Sequence, residues 1–169
     1  MRFTIKREEF LKGLNIASRA VQNKTPVPVL TNLKLDLNED GLTITGSNYD
    51  LSIKTLIPHS IESNEIIRNY KEGSILLSSR FLCEMIRKME SDEVTVDVID
   101  STMAKISDKQ VDCTLNCVRP EEYPDLDLDP GDVGLTMTTA DFSLLVDQTA
   151  FAASTKEQRP YLTAIKLEA

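Results

Sequence analysis

The stretch "NKTPVPVLTNLKLDL", residues 23–37, has a counterpart in "TKEQRPYLTAIKLEA", residues 155–169. Sliding the sequence on itself by 132 positions extends the match without a gap, aligning Phe3–Leu37 with Leu135–Ala169. Nine pairs are then identical: Thr4/Thr136, Phe10/Phe142, Ala20/Ala152, Lys24/Lys156, Pro28/Pro160, Leu30/Leu162, Thr31/Thr163, Lys34/Lys166 and Leu35/Leu167. Roughly two would arise by chance at average residue usage. Substitutions such as Leu14/Val146, Leu33/Ile165 and Asp36/Glu168 keep character. Self-similarity at a fixed period is the signature of a duplicated unit. The expectation is therefore one complete domain, then a second that begins near Leu135 and is left unfinished.

Working outward, a fainter echo at an offset of 71 pairs "IKREEFLKGL" with "LLSSRFLCEM". "RFTIK" alternates as a strand, after which Phe10, Leu11, Leu14, Ala17 and Val21 recur at helical spacing. Pro26 and Pro28 are expected to end that helix and set the entry into "VLTNLKLDL". "LTNLKLDL", "LTITGS" and "LSIKTLI" follow as alternating runs separated by the turn sequences "NEDG" and "SNYD". That is one β-α-β-β-β unit. A second begins at "SILLS", with Ser78 or Ser79 as N-cap and Phe81, Leu82, Met85, Ile86 and Met89 on one helical stripe. It continues through "EVTVDVI", "TMAKIS" and "QVDCTLNCV". Two such units predict an α+β domain over 1–120, with both helices on one face of antiparallel sheets.

Six acids crowd "EEYPDLDLDPGD" (Glu121, Glu122, Asp125, Asp127, Asp129 and Asp132), and with two prolines and a glycine this reads as a solvated linker over 121–133, ahead of the second domain over 134–169. The net charge of −8 argues against a protein that simply coats nucleic acid. No apolar run approaches the roughly 18 residues of a membrane span, and "MRFTIKREEF" has no signal-peptide core, so a cytoplasmic protein is expected. Cys83, Cys113 and Cys117 lack metal-ligand spacing and suit reduced core positions. His59, the only histidine, stands without partners for general-base or metal chemistry and reads as a surface residue. Gly-rich phosphate loops, nucleophile elbows and paired carboxylates are missing too, so the reading is a non-enzyme that needs no cofactor.

Six segments together resemble the β subunit of bacterial DNA polymerase III, the sliding clamp: "MRFTIKREEFLKGL", "TPVPVLTNLKLDL", "LTITGSNYDLSIKTLIP", "SSRFLCEMIRKM", "EEYPDL" and "QTAFAASTKEQRPYLTAIKLE". The resemblance covers the whole chain in family order. It implies the DNA-clamp fold, three domains per subunit, and a head-to-tail ring of two subunits around double-stranded DNA. Its expected partners are the clamp loader, the replicative polymerase and repair proteins that dock short peptides. The charge pattern suits a ring whose helices line the hole. Residues 6–24 hold Lys6, Arg7, Lys12, Arg19 and Lys24 against Glu8 and Glu9, a net +3. Residues 79–90 hold Arg80, Arg87 and Lys88 against Glu84 and Glu90, a net +1. Few phosphate contacts permit sliding, because a closed ring retains DNA by topology.

By that resemblance Lys24 and its repeat mate Lys156 are DNA contacts, although a lysine just past a helix also serves the helix dipole. Arg80 matches a DNA-contact arginine, and a cation at a helix N-terminus has no dipole to serve there. Arg159, Pro160 and Tyr161 match a loop beside DNA, with Arg159 also bordering the partner-peptide pocket; Tyr161 either stacks on an exposed base or packs at the strand mouth. Met85, Met89, Cys113 and Leu115 match the subunit interface, yet at helical and strand spacing they serve equally as core. Two rival readings are a protein-interaction module of clamp fold without DNA binding, and a small-molecule enzyme on a similar scaffold.

Overall fold

The computed structural model describes residues 1–126, 134–156 and 159–168, and the chain divides into two compact units, Met1–Asp127 and Leu128–Ala169. In the first unit, β1 (Arg2–Lys6) leads into α1 (Arg7–Ala17), then β2 (Asn32–Asn38), β3 (Gly41–Ser47) and β4 (Ser52–Pro58). Short β5 (Ser60–Ile61) and β6 (Asn64–Glu65) precede β7 (Ile67–Lys71). β8 (Gly73–Ser78), α2 (Ser79–Lys88), β9 (Glu93–Val98), β10 (Met103–Ser107) and β11 (Asp112–Val118) complete the unit. Nine strands form one antiparallel sheet in the order β4-β3-β2-β8-β11-β10-β9-β1-β7.

The order shows how the two repeats interlock. β1 leaves its own repeat to pair with β9 of the other, and β8 returns the exchange by pairing with β2. Each repeat thus completes the other's sheet.

All four hairpins within the repeats are closed by an Asn or Asp side chain that accepts backbone N–H bonds. Asn38 Oδ1 accepts from Asp40 at 2.9 Å, Asn48 from Leu51 at 2.8 Å, Asp100 from Thr102 at 2.7 Å, and Asp108 from Val111 at 2.7 Å. This is the local chemistry that makes those residues turn formers. Gly41, at φ 137°, completes the first turn in a region L side chains avoid.

Phe3 and Phe10 meet edge-to-face, with ring centroids 5.9 Å apart, and anchor the main core. From α1 come Phe10, Leu14 and Ala17; β2 adds Leu33, Leu35 and Leu37, and β3 adds Leu42 and Ile44. Gly46 brings α1 close to the sheet, because a Cβ there would lie 2.3 Å from the Ala17 carbonyl oxygen. A second, smaller cluster forms from Leu30, Leu76 and Tyr123, with Val27, Val29, Val118 and Leu126 partly buried around it.

Three expectations are corrected. α1 ends at Ala17 and passes through a 3₁₀ turn at Ser18–Ala20, so the prolines do not terminate it. Pro28 instead opens a 3₁₀ turn at Pro28–Thr31, a first-position role its missing N–H suits, and the strand starts at Asn32. On α2 the buried stripe is Leu82, Cys83 and Ile86, while Phe81 is 57% exposed. Phe81 and Cys83 lie about 100° to either side of Leu82, and only the Cys83 side faces Ser18 at the end of α1. Ser78 does occupy the N-cap of α2, but its side chain makes no capping bond.

The segment read as a linker begins with a 3₁₀ turn at Pro120–Glu122 and buries Tyr123; residues 127–133 lie outside the described residues. In the second unit α3 (Thr139–Thr149) forms behind a Thr138 cap that accepts from Asp141 N at 3.1 Å. The strands expected on either side of it do not form. Residues 134–138 are irregular, and after a 3₁₀ turn at Pro160–Leu162 the chain continues without a strand. A helix satisfies its backbone within itself, whereas a strand needs a partner ladder, and these residues are paired with no strand among the described residues. Phe142, Leu145, Phe151, Leu162 and Leu167 are all exposed, leaving the apolar side of this unit bare.

Candidate nucleic-acid interface

With Phe10, Leu14 and Ala17 turned to the core, α1 presents Glu8, Lys12, Asn15 and Ile16 outward, and Arg19 follows in the 3₁₀ turn. α2 likewise exposes Arg80, Glu84, Arg87 and Lys88. The two outward faces adjoin, since Arg87 Nη2 donates to Asn15 Oδ1 at 3.5 Å.

Part of the basic charge on these segments is consumed locally. Lys12 Nζ lies 2.8 Å from Glu9 and 3.2 Å from Glu8, and these two carboxylates hold its ammonium above the usual lysine range. Arg7 Nε donates to the Ser91 carbonyl at 3.2 Å. Arg80 Nε sits 3.6 Å from Glu84, and its guanidinium carbon is 5.9 Å from the Phe81 ring centroid. Such an exposed pair is worth at most about 1 kcal/mol and gives way readily to a phosphate. Arg19, Lys24 and Lys88 have no carboxylate within salt-bridge distance among the described residues.

Lys24 is exposed on the irregular segment between α1 and the Pro28–Thr31 turn, beside a shallow depression lined by Asn23, Thr25, Pro26 and Thr31. Lys156, Arg159, Pro160 and Tyr161 all belong to the second unit, where each is exposed and Tyr161 is 73% accessible. The loop holds its shape through Leu162 N donating to the Arg159 carbonyl at 2.9 Å, Thr163 N to the Pro160 carbonyl at 3.0 Å, and Lys156 N to Ser154 Oγ at 3.1 Å. No strand forms beside Tyr161 within the described residues of the second unit.

The residues read as a subunit interface divide. Met89, 4% exposed, is part of the main core and offers its side chain to nothing outside. Met85 and Leu115 are half-buried against that core, and Cys113 is half-buried on β11. β11 pairs with β10 over Asp112–Asn116 but meets β8 only at Cys117 and Val118. Its Asp112–Asn116 stretch therefore has a free hydrogen-bonding edge within this unit, with Cys113 and Leu115 on one face.

Burial pushes the Cys83 and Cys117 thiols up, with Asp100 adding to the effect at Cys117. Both are thereby held in the unreactive thiol form. The His59 ring stacks on Tyr70 at 4.2 Å while its Nε2 lies 2.8 Å from the Asn38 carbonyl oxygen, so the ring fastens β4 to the β2–β3 turn. Sequence reasoning missed this packing role and the Tyr123 cluster; the "EEYPDL" segment signalled the latter by setting an aromatic and a leucine among acids. Three metal-ligating side chains do not converge anywhere among the described residues. No helix of the described residues is long and apolar enough to cross a membrane.

Two β-α-β-β-β repeats that exchange their first strands, with both helices side by side, define the DNA-clamp class of fold. Residues 1–127 match the family described as DNA polymerase III beta subunit, N-terminal domain. The chain is 34% identical over 168 residues to the "Beta sliding clamp" of Halalkalibacterium halodurans, covering 99% of this chain and 44% of that one. Among solved structures, the DNA polymerase sliding clamp of Bacillus subtilis superimposes with a TM-score of 0.90 at 32% identity, over 95% of this chain and 42% of that one. The DNA polymerase III beta chain of Streptococcus pneumoniae gives 0.88 at 28% identity, over 94% and 42%. This chain belongs to the DNA polymerase III beta subunit family, the bacterial sliding clamps. It spans under half the length of the curated relatives it matches.

Proposed function

We propose that this chain is part of a DNA sliding clamp, a non-enzymatic processivity factor that tethers a replicative polymerase to duplex DNA. The observation that carries the reading is the joined outward face of α1 and α2. It sets Arg19, Arg80, Arg87 and Lys88 on a helical layer, with Lys24 just beyond α1, in a chain of net charge −8. A thinly basic helical face suits a surface that passes along DNA without gripping it, because affinity grows with each phosphate neutralised. Residues 1–120 act as the first clamp domain, 121–133 as the connection and 134–169 as the opening of the second. Lys156, Arg159, Pro160 and Tyr161 supply the second domain's DNA loop, with Arg159 at the margin of a partner-peptide pocket.

The open Asp112–Asn116 edge of β11, with Cys113 and Leu115, is the surface that meets the neighbouring subunit in a head-to-tail homodimer, and half-buried Met85 of α2 is a further candidate for that contact. Clamp loader, polymerase and repair proteins are the partners, docking by short peptides, and the bacterial cytoplasm is the place of action. The test is Lys24→Glu with Arg80→Glu in the intact protein. DNA retention on primed circular duplex should fall while the thermal midpoint holds. Equal retention by the double variant would favour the second reading, an interaction module of clamp fold without DNA binding.

A further inference from the structure

The segment that carries Lys24 runs from Val21 to Thr31 without regular structure apart from its closing 3₁₀ turn. Its hydrogen bonds among the described residues are local: Val21 N to Ser18 O, Val27 N to Thr25 Oγ1, Leu30 N to Val27 O, Thr31 Oγ1 to Pro28 O and, where β2 begins, Asn32 N and Nδ2 to Val29 O. None of them ties residues 22–26 to the sheet. What holds it is apolar contact at two points. Val21 packs against the main core, and Val27 packs with Val29 and Leu30 against the small cluster built on Tyr123 and Leu76. The five residues 22–26, Lys24 in the middle, are a bow strung between those anchors.

Tyr123 supplies one anchor from outside the repeats. It lies five residues past the end of β11, the residue is 7% exposed, and its hydroxyl is buried without a hydrogen-bond partner. Shape and area, not a polar bond, account for its place.

We propose that Tyr123 is a positioning residue for the Lys24 bow: its ring fixes Val27 and Leu30 and so presents the Lys24 ammonium preformed to a DNA phosphate. This rests on the reading of Lys24 as a DNA contact. A lysine on a bow held at both ends binds a phosphate with its backbone ordering already met, whereas one on a slack segment must order that backbone on binding. The segment that leads out of the first unit is thereby mechanically linked to a DNA-contacting loop at its other side.

The experiment uses the intact protein and two readouts. In the first, amide hydrogen exchange over residues 22–31 is compared in wild type, Tyr123→Ala, Tyr123→Phe and Val27→Ala. Exchange there should quicken at least tenfold in Tyr123→Ala and Val27→Ala and remain unchanged in Tyr123→Phe, with β2 and β3 staying protected as proof that the unit is folded. In the second, the loss of duplex affinity caused by Lys24→Ala is measured in wild-type and Val27→Ala backgrounds, and it should shrink severalfold in the latter. Unchanged exchange over 22–31 in both anchor variants would overturn the anchor. Faster exchange with an undiminished Lys24→Ala effect would overturn the link to DNA. A Lys24→Ala variant that binds like wild type in both backgrounds would remove the DNA reading and the link with it, while the exchange data would still judge the anchor separately.

Discussion

Tyr123→Phe removes a hydroxyl that is buried without a partner, and its consequence should depend on pH. Burial pushes the Tyr123 phenol up to about 12, against an ordinary value near 10, with the Ser47 backbone acting weakly the other way although it makes no hydrogen bond of good geometry to the hydroxyl. Below pH 10 both folded and unfolded chains hold the proton, so the difference between wild type and variant is small. The phenylalanine form should be equal or slightly more stable there, since an unpaired buried hydroxyl costs free energy on folding. Between pH 10 and 12 the unfolded chain releases the proton while the native one keeps it. The unfolded state then binds fewer protons, and wild-type stability must fall as pH rises. At about 1.4 kcal/mol per unit, the loss specific to Tyr123 reaches roughly 2–3 kcal/mol by pH 12. The assay is urea unfolding followed by circular dichroism from pH 8 to 12 in both proteins. Every other side chain is common to the two proteins, so its contribution cancels in the difference. A difference that stays flat across this range would refute the buried, protonated phenol, and a loss above about 1 kcal/mol for Tyr123→Phe at pH 8 would show that the hydroxyl makes a bond the structure lacks.

Further outcomes follow from the packing and the charge pattern. Gly46→Ala should destabilise the first unit by about 1–3 kcal/mol in a thermal melt, because the new Cβ would sit 2.3 Å from the Ala17 carbonyl oxygen and push α1 off the sheet. Leu82→Ala should cost about 2–5 kcal/mol in denaturant titration, whereas exposed Phe81→Ser should stay within about 0.5 kcal/mol. Lys24→Glu with Arg80→Glu should leave unfolding unchanged within about 0.5 kcal/mol while reducing DNA retention. The 169-residue chain by itself should not be retained on linear duplex in a gel-shift assay near physiological salt, given its net charge of −8 and few unpaired helical cations.

The elements of the first unit were legible wherever periodicity and turn chemistry agreed. β2, β3 and β4 stand out as alternating runs between Asn- and Asp-bearing turns, and those side chains are the ones that close the hairpins. Two features stayed hidden for physical reasons. β5 to β7 are short and rich in polar residues, and β7 acquires its strand geometry by pairing with β1 across more than 60 residues of sequence, which no local window reports. The choice between Phe81 and Cys83 depends on which flank of α2 meets α1, a tertiary fact that helical spacing leaves open. Among the site residues, Lys24, Arg80, Arg159 and Tyr161 are exposed, while Met89, an apolar residue at helical spacing, is buried in the core of the first unit.

The repeat supplies a comparison within one molecule. Leu30, Thr31, Lys34 and Leu35 recur as Leu162, Thr163, Lys166 and Leu167, so intrinsic preference is nearly matched in the two copies. In the first copy Asn32–Asn38 lies between β3 and β8, bonded on both edges, and Leu33 and Leu35 are fully buried. In the second copy the equivalent residues have no paired strand among the described residues, and Leu162 and Leu167 are exposed. The 3₁₀ turns at Pro28–Thr31 and Pro160–Leu162 nevertheless appear in both, as do α1 and α3. Elements whose hydrogen bonds close within a few residues are set by the local sequence, whereas the strand is set by what flanks it. The same division explains why the DNA-contact candidates Lys156 and Arg159 keep loop geometry in the second unit even though the strand beyond them does not form: Arg159 is held by the Arg159–Thr163 turn, through bonds from Leu162 N and Thr163 N, and Lys156 by its N–H bond to Ser154 Oγ, none of which needs a sheet.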